Sequence, residues 1–232
     1  MSKLCAVILC GGRGERLRPF TETLPKSLVP INGHPLLYHL LSYLFANKVG
    51  SAVLCTGFKA ESIESFLREQ GRPDWKVDCI NSGEASMTDR ILDAARQNDG
   101  PYLICYGDTL ANVNLNELRK VHIESGALAT VTVYPMHSPF GIVSFDESNR
   151  VEAFAEKPVL PYWINIGYLI CEPEALRHIQ PGSDMPQFLS SLARSRELAV
   201  FKHDGKHLTV NTEKDRAEAE AQAIQFFTLI ES

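Results

Sequence analysis

Apolar residues in the first half of this chain follow two spacings that alternate. Residues 4–9 form an unbroken apolar run, short enough for a strand covered on both faces; runs of the same kind return at 52–55 and 102–106, and 76–80 reads as a further strand. Segments of helical length lie between them. Residues 36–45 follow Pro35, a residue suited to a helix's first turn. Residues 60–68 are amphipathic, and 88–96 read as a further helix. Asn114, with Glu117 three residues on, has the form of a capping box opening another helix. Strand and helix alternating in this order predict a mostly parallel sheet with helices on both faces.

The second half reads differently. Residues 129–134, 141–145, 150–155 and 163–171 are strand-like and separated by Pro, Gly, Asp and Asn turns, which suggests mixed or antiparallel strands added to the parallel core. Residues 174–179 and 187–194 look helical, 198–201 and 207–210 look like short strands, and 212–227 reads as a helix with Glu213 and Asp215 in its first turn. There is no internal repeat, low-complexity tract or clear linker. The expectation is one α/β domain over 1–232, Rossmann-like, with a mixed, mainly parallel sheet.

Composition narrows the classes of function. With 232 residues, 44% of them apolar, the chain can bury one sizeable core. Its formal net charge of -5 argues against a general nucleic-acid binder, so a polyanionic substrate must meet a local basic cluster. The cysteines, Cys5, Cys10, Cys55, Cys79, Cys105 and Cys171, form no CxxC pair and sit mostly among Val, Ile and Leu, as free thiols of a reducing compartment do. The first apolar run is too short for a signal peptide and no stretch approaches a membrane span, so the expected location is cytoplasmic.

The basic cluster lies just past the first strand, in Gly11-Gly12-Arg13-Gly14-Glu15-Arg16-Leu17-Arg18-Pro19-Phe20, followed by Pro25-Lys26-Ser27. Open α/β sheets bind ligands at such strand ends. Glycines let backbone N–H groups approach phosphate oxygens, and Arg13, Arg16, Arg18 and Lys26 supply positive charge. The bland alternative is a glycine turn with solvated arginines. The loop is neither GxxxxGK[ST] nor GxGxxG, which removes the P-loop reading and that of an NAD-linked dehydrogenase. Elsewhere, Asp108 in Tyr106-Gly107-Asp108 follows a buried strand, and the residues alone suit a metal-binding carboxylate and a turn Asp equally. Glu156-Lys157-Pro158 reads as a phosphate-binding lysine or, more commonly, a surface pair. Asn165 could bond a hydroxyl or be structural, and Thr88 could cap a helix. His203 and His207 are four apart in a strand-and-turn segment, which gives a zinc site little support.

Taken together, GGRGERLRPFTETLPKSLVPINGHPLL resembles the signature of sugar-phosphate nucleotidyltransferases, GGxGTRLxPxT followed by PKPxxPxxGxPxL, with Glu15 where Thr is usual and Ser27 where Pro is common. TGFKAESIESF, NSGEASMTDRIL, YGDTLANVNL, ATVTVYPMHSPFGIVSF, FAEKP and WINIGYLICEP extend the resemblance to about Thr212. The SMT segment is similar to the glucose-1-phosphate cytidylyltransferase branch, although a stretch that the branch carries before it is missing here. The resemblance implies a fold of the nucleotide-diphospho-sugar transferase type. It implies transfer of a nucleoside monophosphate, CMP from CTP by branch, to a sugar 1-phosphate with release of pyrophosphate. Arg16 and Lys26 would hold the triphosphate, and Asp108 would be the principal Mg2+ ligand. Leu9, Gly11, Gly12, Arg13, Gly14 and Gly107 would meet the nucleotide, and Ser86, Met87 and Thr88 would lie near its base. Lys157 would contact the sugar phosphate, with Glu156, Asn165 and Gly167 on the sugar.

One departure matters. Asn211, in Thr209-Val210-Asn211-Thr212, stands where the branch carries a second acidic metal ligand, and Asp204 is near enough in sequence to compensate. Asn211 keeps a non-catalytic sugar-nucleotide sensor in view, and related folds also serve phosphorylated acceptors that are not sugars. Small-molecule partners, no nucleic acid, no membrane and a possible homo-oligomer complete the expectation.

Overall fold

The computed structural model describes residues 4–180 and 182–227; residues 1–3, 181 and 228–232, which include both ends of the expected domain span, lie outside the described residues. In chain order the strands are β1 (Cys5–Leu9), β2 (Pro30–Ile31), β3 (His34–Pro35), β4 (Ser51–Thr56), β5 (Val77–Asn81), β6 (Tyr102–Tyr106), β7 (Thr109–Ala111), β8 (Ala129–His137), β9 (Ile142–Phe145), β10 (Val151–Ala155), β11 (Val159–Cys171), β12 (Leu198–Lys202) and β13 (His207–Thr209). The α-helices are α1 (Phe20–Thr23), α2 (Leu36–Ala46), α3 (Ala60–Gln70), α4 (Met87–Ala95), α5 (Leu115–Ser125), α6 (Met185–Arg194) and α7 (Glu213–Phe227).

Seven strands form the central sheet in the order β12-β8-β11-β6-β1-β4-β5. β1 runs parallel to β4 and β6, β4 to β5, and β12 to β8; β11 alone is antiparallel, to both β6 and β8. The sheet is therefore mixed and mainly parallel, as the element pattern predicts. Side chains alternate across a strand, so β1 feeds two cores. Ala6 and Ile8 meet Leu40, Leu44, Ile63 and Leu118 on one face. Cys5 and Val7 meet Ile91, Ala94, Phe188 and Leu192 on the other. Helices α2, α3 and α5 thus cover one side of the sheet, and α4 and α6 the other.

Several elements differ from their sequence reading. The strand expected over 129–134 continues to His137, and its partner β11 begins at Val159 rather than at residue 163, because backbone pairing carries on past Pro135. Residues 174–179 form a short 3-10 helix, Pro173–His178, instead of an α-helix. The full reciprocal capping box is Asp184–Gln187, which starts α6 two residues early; at Asn114 only the forward half forms, Asn114 Oδ1 accepting from Glu117 N at 3.1 Å. All six cysteines are free and only Cys79 is not buried. No helix among the described residues is long and apolar enough to cross a membrane.

Phe188 is wholly buried between α6 and the sheet. Phe188→Ala should lower unfolding stability in denaturant titration by about 3–5 kcal/mol. A loss below about 1 kcal/mol would show that α6 is not part of the cooperative core.

Candidate active site

Leu9, the last residue of β1, lies opposite Cys55 on β4 and Tyr106 on β6. Three loops therefore leave the sheet side by side, at its C-terminal edge, and a cleft of about 420 Å³ opens between them. Backbone bonds fix the loops to the strands: Cys10 N donates to Cys55 O at 3.0 Å, Gly107 N to Leu9 O at 3.2 Å, and Phe58 N to Gly11 O at 3.3 Å.

Of the sequence-predicted residues, Leu9, Gly11, Gly12 and Arg13 line the cleft from the first loop. Lys26, Met87, Gly107 and Asp108 line it from three other segments. Lys26 rides on a short 3-10 turn, Lys26–Leu28, set by Pro25. Its ammonium donates to Asp108 Oδ2 at 2.5 Å and to Asn211 Oδ1 at 2.8 Å, and Arg16 donates to the same Asn211 oxygen at 3.0 Å. Arg16 and Asn211 thus join the cleft through Lys26. Asn211 is brought there by β13, which pairs antiparallel with β7, so that Val210 N donates to Asp108 O at 3.1 Å. Gly14 turns the chain behind Lys26, its carbonyl accepting from Thr21 Oγ1 at 3.0 Å. Arg13 is ion-paired with Glu84, both side chains exposed, and lies 5.6 Å from the centre of the Phe58 ring.

Asn165 and Gly167 back onto Tyr106, a wall of the cleft. Asn165 Oδ1 accepts from Gly167 N at 2.9 Å. Gly167 has φ +76°, and a Cβ there would fall 2.4 Å from the Tyr106 ring, so both conformation and space require glycine. Burial pushes the Tyr106 hydroxyl above its usual pKa, partly offset by a bond with Asn165.

The remaining sequence-predicted residues lie apart from the cleft lining. The cap on α4 is Ser86, whose Oγ accepts from Asp89 N at 3.1 Å; Thr88 is fully buried and donates to Ser183 O at 2.5 Å. Ser86 and Thr88 are not among the cleft lining. Glu156 and Lys157 are exposed on the bend after β10, also outside that lining, and Lys157 holds a left-handed φ of 47°. A non-glycine residue in that region is uncommon. Asp204 is exposed. Asp215 instead serves the segment beside Asn211, its Oδ2 accepting from Asn211 N and Thr212 N, each at 2.9 Å.

Sequence reasoning missed Phe58, the Gly83–Ala85 wall and Arg90. Arg90 is 5% exposed and among the described residues meets no carboxylate; it donates to Gly83 O at 2.6 Å, to Ala85 O at 3.2 Å and to Thr56 O. Its guanidinium lies against Gly11, where a Cβ would sit 2.1 Å from Cζ. One side chain thus braces three loops at once. Its signal in the sequence was a cation next to Ile91 on the apolar side of α4.

Among the described residues no group of three or more His, Cys, Asp or Glu could hold a metal ion. The oxygen donors within reach of one another are the Asp108 carboxylate and the Asn211 amide, bridged by Lys26. A hard, oxygen-only pair with one carboxylate fits Mg2+ held jointly with substrate phosphates, the usual mode for that ion. It does not fit a resident ion caged by protein alone.

A mixed, mainly parallel sheet with a glycine-rich cationic loop and a carboxylate at its C-terminal edge has the architecture of an α/β protein with its ligand crevice at the strand ends. The comparisons with known proteins make the class specific. The chain belongs to the nucleotidyl transferase family, whose profile matches residues 5–195. It is 32% identical to a Bacillus subtilis protein named "Probable glucose-1-phosphate cytidylyltransferase", over 92% of this chain and 93% of that one. It is 30% identical to the mannose-1-phosphate guanylyltransferase catalytic subunit beta of Danio rerio, over 90% of this chain but only 62% of that longer one. In three dimensions it is similar to HddC from Yersinia pseudotuberculosis, with a TM-score of 0.75 and 21% identity over 95% and 99% of the two chains, which bears on the fold.

His207, on β13, adds a pH-dependent element beside the cleft. Burial, reinforced by His203, pushes its pKa down from 6.5 to about 4 against the opposing pull of Asp108. The unfolded chain therefore binds this proton first as pH drops. His207's contribution to stability is intact above about pH 6.5 and is lost as pH falls toward about 4. His207→Asn should flatten the melting temperature against pH in that window, leaving the slope due to His39, whose pKa burial also lowers. An unchanged slope would show that His207 is solvated in the native protein.

Proposed function

We propose that this chain transfers CMP from CTP to a sugar 1-phosphate and releases pyrophosphate. The observation that carries this reading is the convergence of Lys26, Asp108, Asn211 and Arg16, from four separate segments, at the mouth of a glycine-lined cleft. Family membership supports nucleotidyl transfer. The choice of CTP rests on the likeness to the Bacillus subtilis relative over nearly the whole of both chains.

In this reading the triphosphate lies along Gly11–Gly12, where backbone N–H groups and Arg13 face it, and Lys26 turns from Asp108 to the phosphates. Asp108 and the Asn211 amide oxygen would hold Mg2+, which supplies neutralisation of phosphate charge. A sugar 1-phosphate oxygen attacks the α-phosphorus in line. The new P–O bond forms as the bond to the β-phosphate bridging oxygen breaks, and the electron pair leaves with pyrophosphate. The attacking phosphate is already ionised, so no general base is needed, and the chain's work is positioning and charge stabilisation. The thiol nearest the chemistry, Cys10, is held protonated by burial and is no nucleophile. Lys157 and Glu156 are assigned to the acceptor, on the resemblance of the FAEKP segment.

Pyrophosphate release, measured with CTP, GTP, UTP and dTTP against a panel of sugar 1-phosphates, tests the whole reading. Turnover is expected with CTP and a hexose 1-phosphate. Binding without turnover in every pairing would give the cleft to a non-catalytic sugar-nucleotide binder, a role that the uncharged Asn211 favours. Lys26→Ala and Asp108→Ala should each cut turnover at least ~10²-fold, the scale of losing one preorganised electrostatic contact. Near-normal activity in either would remove these residues from the mechanism.

A further inference from the structure

Lys26 sits where a divalent ion would be held. Its ammonium donates to Asp108 Oδ2 at 2.5 Å and to Asn211 Oδ1 at 2.8 Å, the two oxygens that the proposed reading gives to Mg2+. Arg16 donates to the same Asn211 oxygen at 3.0 Å. An amide oxygen has two lone pairs, so both are in use. The other carboxylate oxygen, Asp108 Oδ1, accepts from Thr109 Oγ1 at 3.3 Å. The Lys26 side chain is 15% exposed and the Asp108 side chain 28%, which shields the pair from the screening that weakens surface ion pairs.

The seat of this lysine is built, and only its end can move. Leu28 N donates to Pro25 O at 2.9 Å and Val29 N to Lys26 O at 3.1 Å, so backbone bonds close the turn that carries it. The Gly14 turn packs against the stem so closely that a Cβ added there would fall 2.8 Å from Lys26 Cβ. Beyond that point the side chain is a flexible stem ending in a compact charge. Toward a lone divalent ion the cluster presents two cations and, among the described residues, one carboxylate bound to them. Toward a triphosphate the balance reverses. The same two cations can pass to phosphate oxygens through charge-assisted hydrogen bonds. The protein oxygens they leave then face an ion that the phosphates help to hold.

We propose that Lys26 is a stand-in for the metal: it keeps the Asp108–Asn211 site shut to divalent ions in the bare protein, and a triphosphate opens that site by drawing Lys26 and Arg16 onto itself. This rests on the reading of the cleft as a nucleotide site and adds an order to it. The nucleotide enters first or together with its ion, and the ion alone does not bind. The Lys26 charge therefore acts in opposite directions on the two ligands. It raises affinity for the metal-free nucleotide and lowers affinity for the nucleotide-free ion, so the two bind with positive coupling. Asn211 belongs to the same device, because its amide gives Lys26 a second acceptor without adding a second carboxylate.

Binding measurements on the full chain test this without reference to turnover. Mn2+ shares the oxygen preference of Mg2+, and its unbound fraction is read by electron paramagnetic resonance. Titrated with no nucleotide present, the wild type should bind Mn2+ no more tightly than about 1 mM. Lys26→Met keeps the length of the stem and removes the charge, and it should bind Mn2+ at least ~10-fold more tightly, the scale of a typical coupling between sites. Calorimetry with CTP in EDTA gives the second readout, in which Lys26→Met should bind the metal-free nucleotide at least ~10-fold more weakly than the wild type. A gain for the ion beside a loss for the nucleotide separates this role from structural damage, which weakens both. Tighter binding of Mn2+ by the bare wild type overturns the proposal, and so does a Lys26→Met variant with no gain. Should that variant fail to fold, Arg16→Met changes an exposed side chain and gives back one lone pair of Asn211 Oδ1. It should gain at least ~3-fold for Mn2+, within the range of such couplings, and no gain overturns the proposal equally. A wild type that binds none of CTP, GTP, UTP and dTTP fails the transfer reading itself. One that binds a nucleotide while neither variant gains the ion fails this proposal alone.

Discussion

Leu9, Cys55 and Tyr106 stand level at the ends of three parallel strands, and this register governs what the cleft can be. Parallel strands release their loops on the same side, so residues far apart in sequence meet there without any long-range device beyond the hydrogen-bond ladder. The glycine-rich loop, the Gly57–Phe58 turn and the Gly107–Asp108 turn are neighbours because β1 lies between β4 and β6. A slip of one residue in β1 would exchange Ala6 and Ile8 with Cys5 and Val7 between the two cores, which the packing on both faces forbids.

On this platform the cleft is organised by positive charge that no carboxylate fully answers. Arg90 is the extreme case: a buried guanidinium whose bonds all go to backbone carbonyls, holding the loops at 56, 83 and 85 while lying against Gly11. An arginine suits this post because its rigid fork can bind several acceptors at fixed angles, which a lysine cannot. The same brace gives a physical reason for glycine at position 11, beyond any role toward phosphate.

The parts of this architecture that were legible in the sequence are those with strong local signals. The strands at 4–9, 52–55 and 102–106 are continuous apolar runs, the cationic glycine loop sits directly after the first, and Asp108 follows the last. What escaped depends on partners distant in sequence. β7 is three residues long and exists through pairing with β13, whose stretch did read as a short strand. The full length of β8 is hidden because Pro135 and His137 give no strand signal, and pairing with β11 supplies the order. Thr88 has the composition of a cap, yet the chain enters α4 with Ser86 in extended conformation, and Thr88 is used for packing against the Ser183 carbonyl. Glu156 and Lys157 were legible as a motif, but their place on the bend after β10 depends on the pairing of β10 with β9.

Asn211 shows how charge at one position can be read only with its neighbours. Lys26 and Arg16 both donate to its amide oxygen, and among the described residues Asp108 is the single carboxylate bound to that pair of cations. Two cations against one carboxylate leave the cluster with positive charge in a protein that is acidic as a whole. An aspartate at 211 would cancel that excess and tighten both cations onto protein oxygens, so an incoming triphosphate would have to displace two ion pairs instead of one. The neighbouring carboxylate, Asp215, is committed to the backbone N–H groups of Asn211 and Thr212 at the start of α7, where negative charge is favourable. On the proposed reading, the amide keeps the cluster cationic toward an incoming anion, and among the described residues Asp108 is the carboxylate that a divalent ion would take from Lys26.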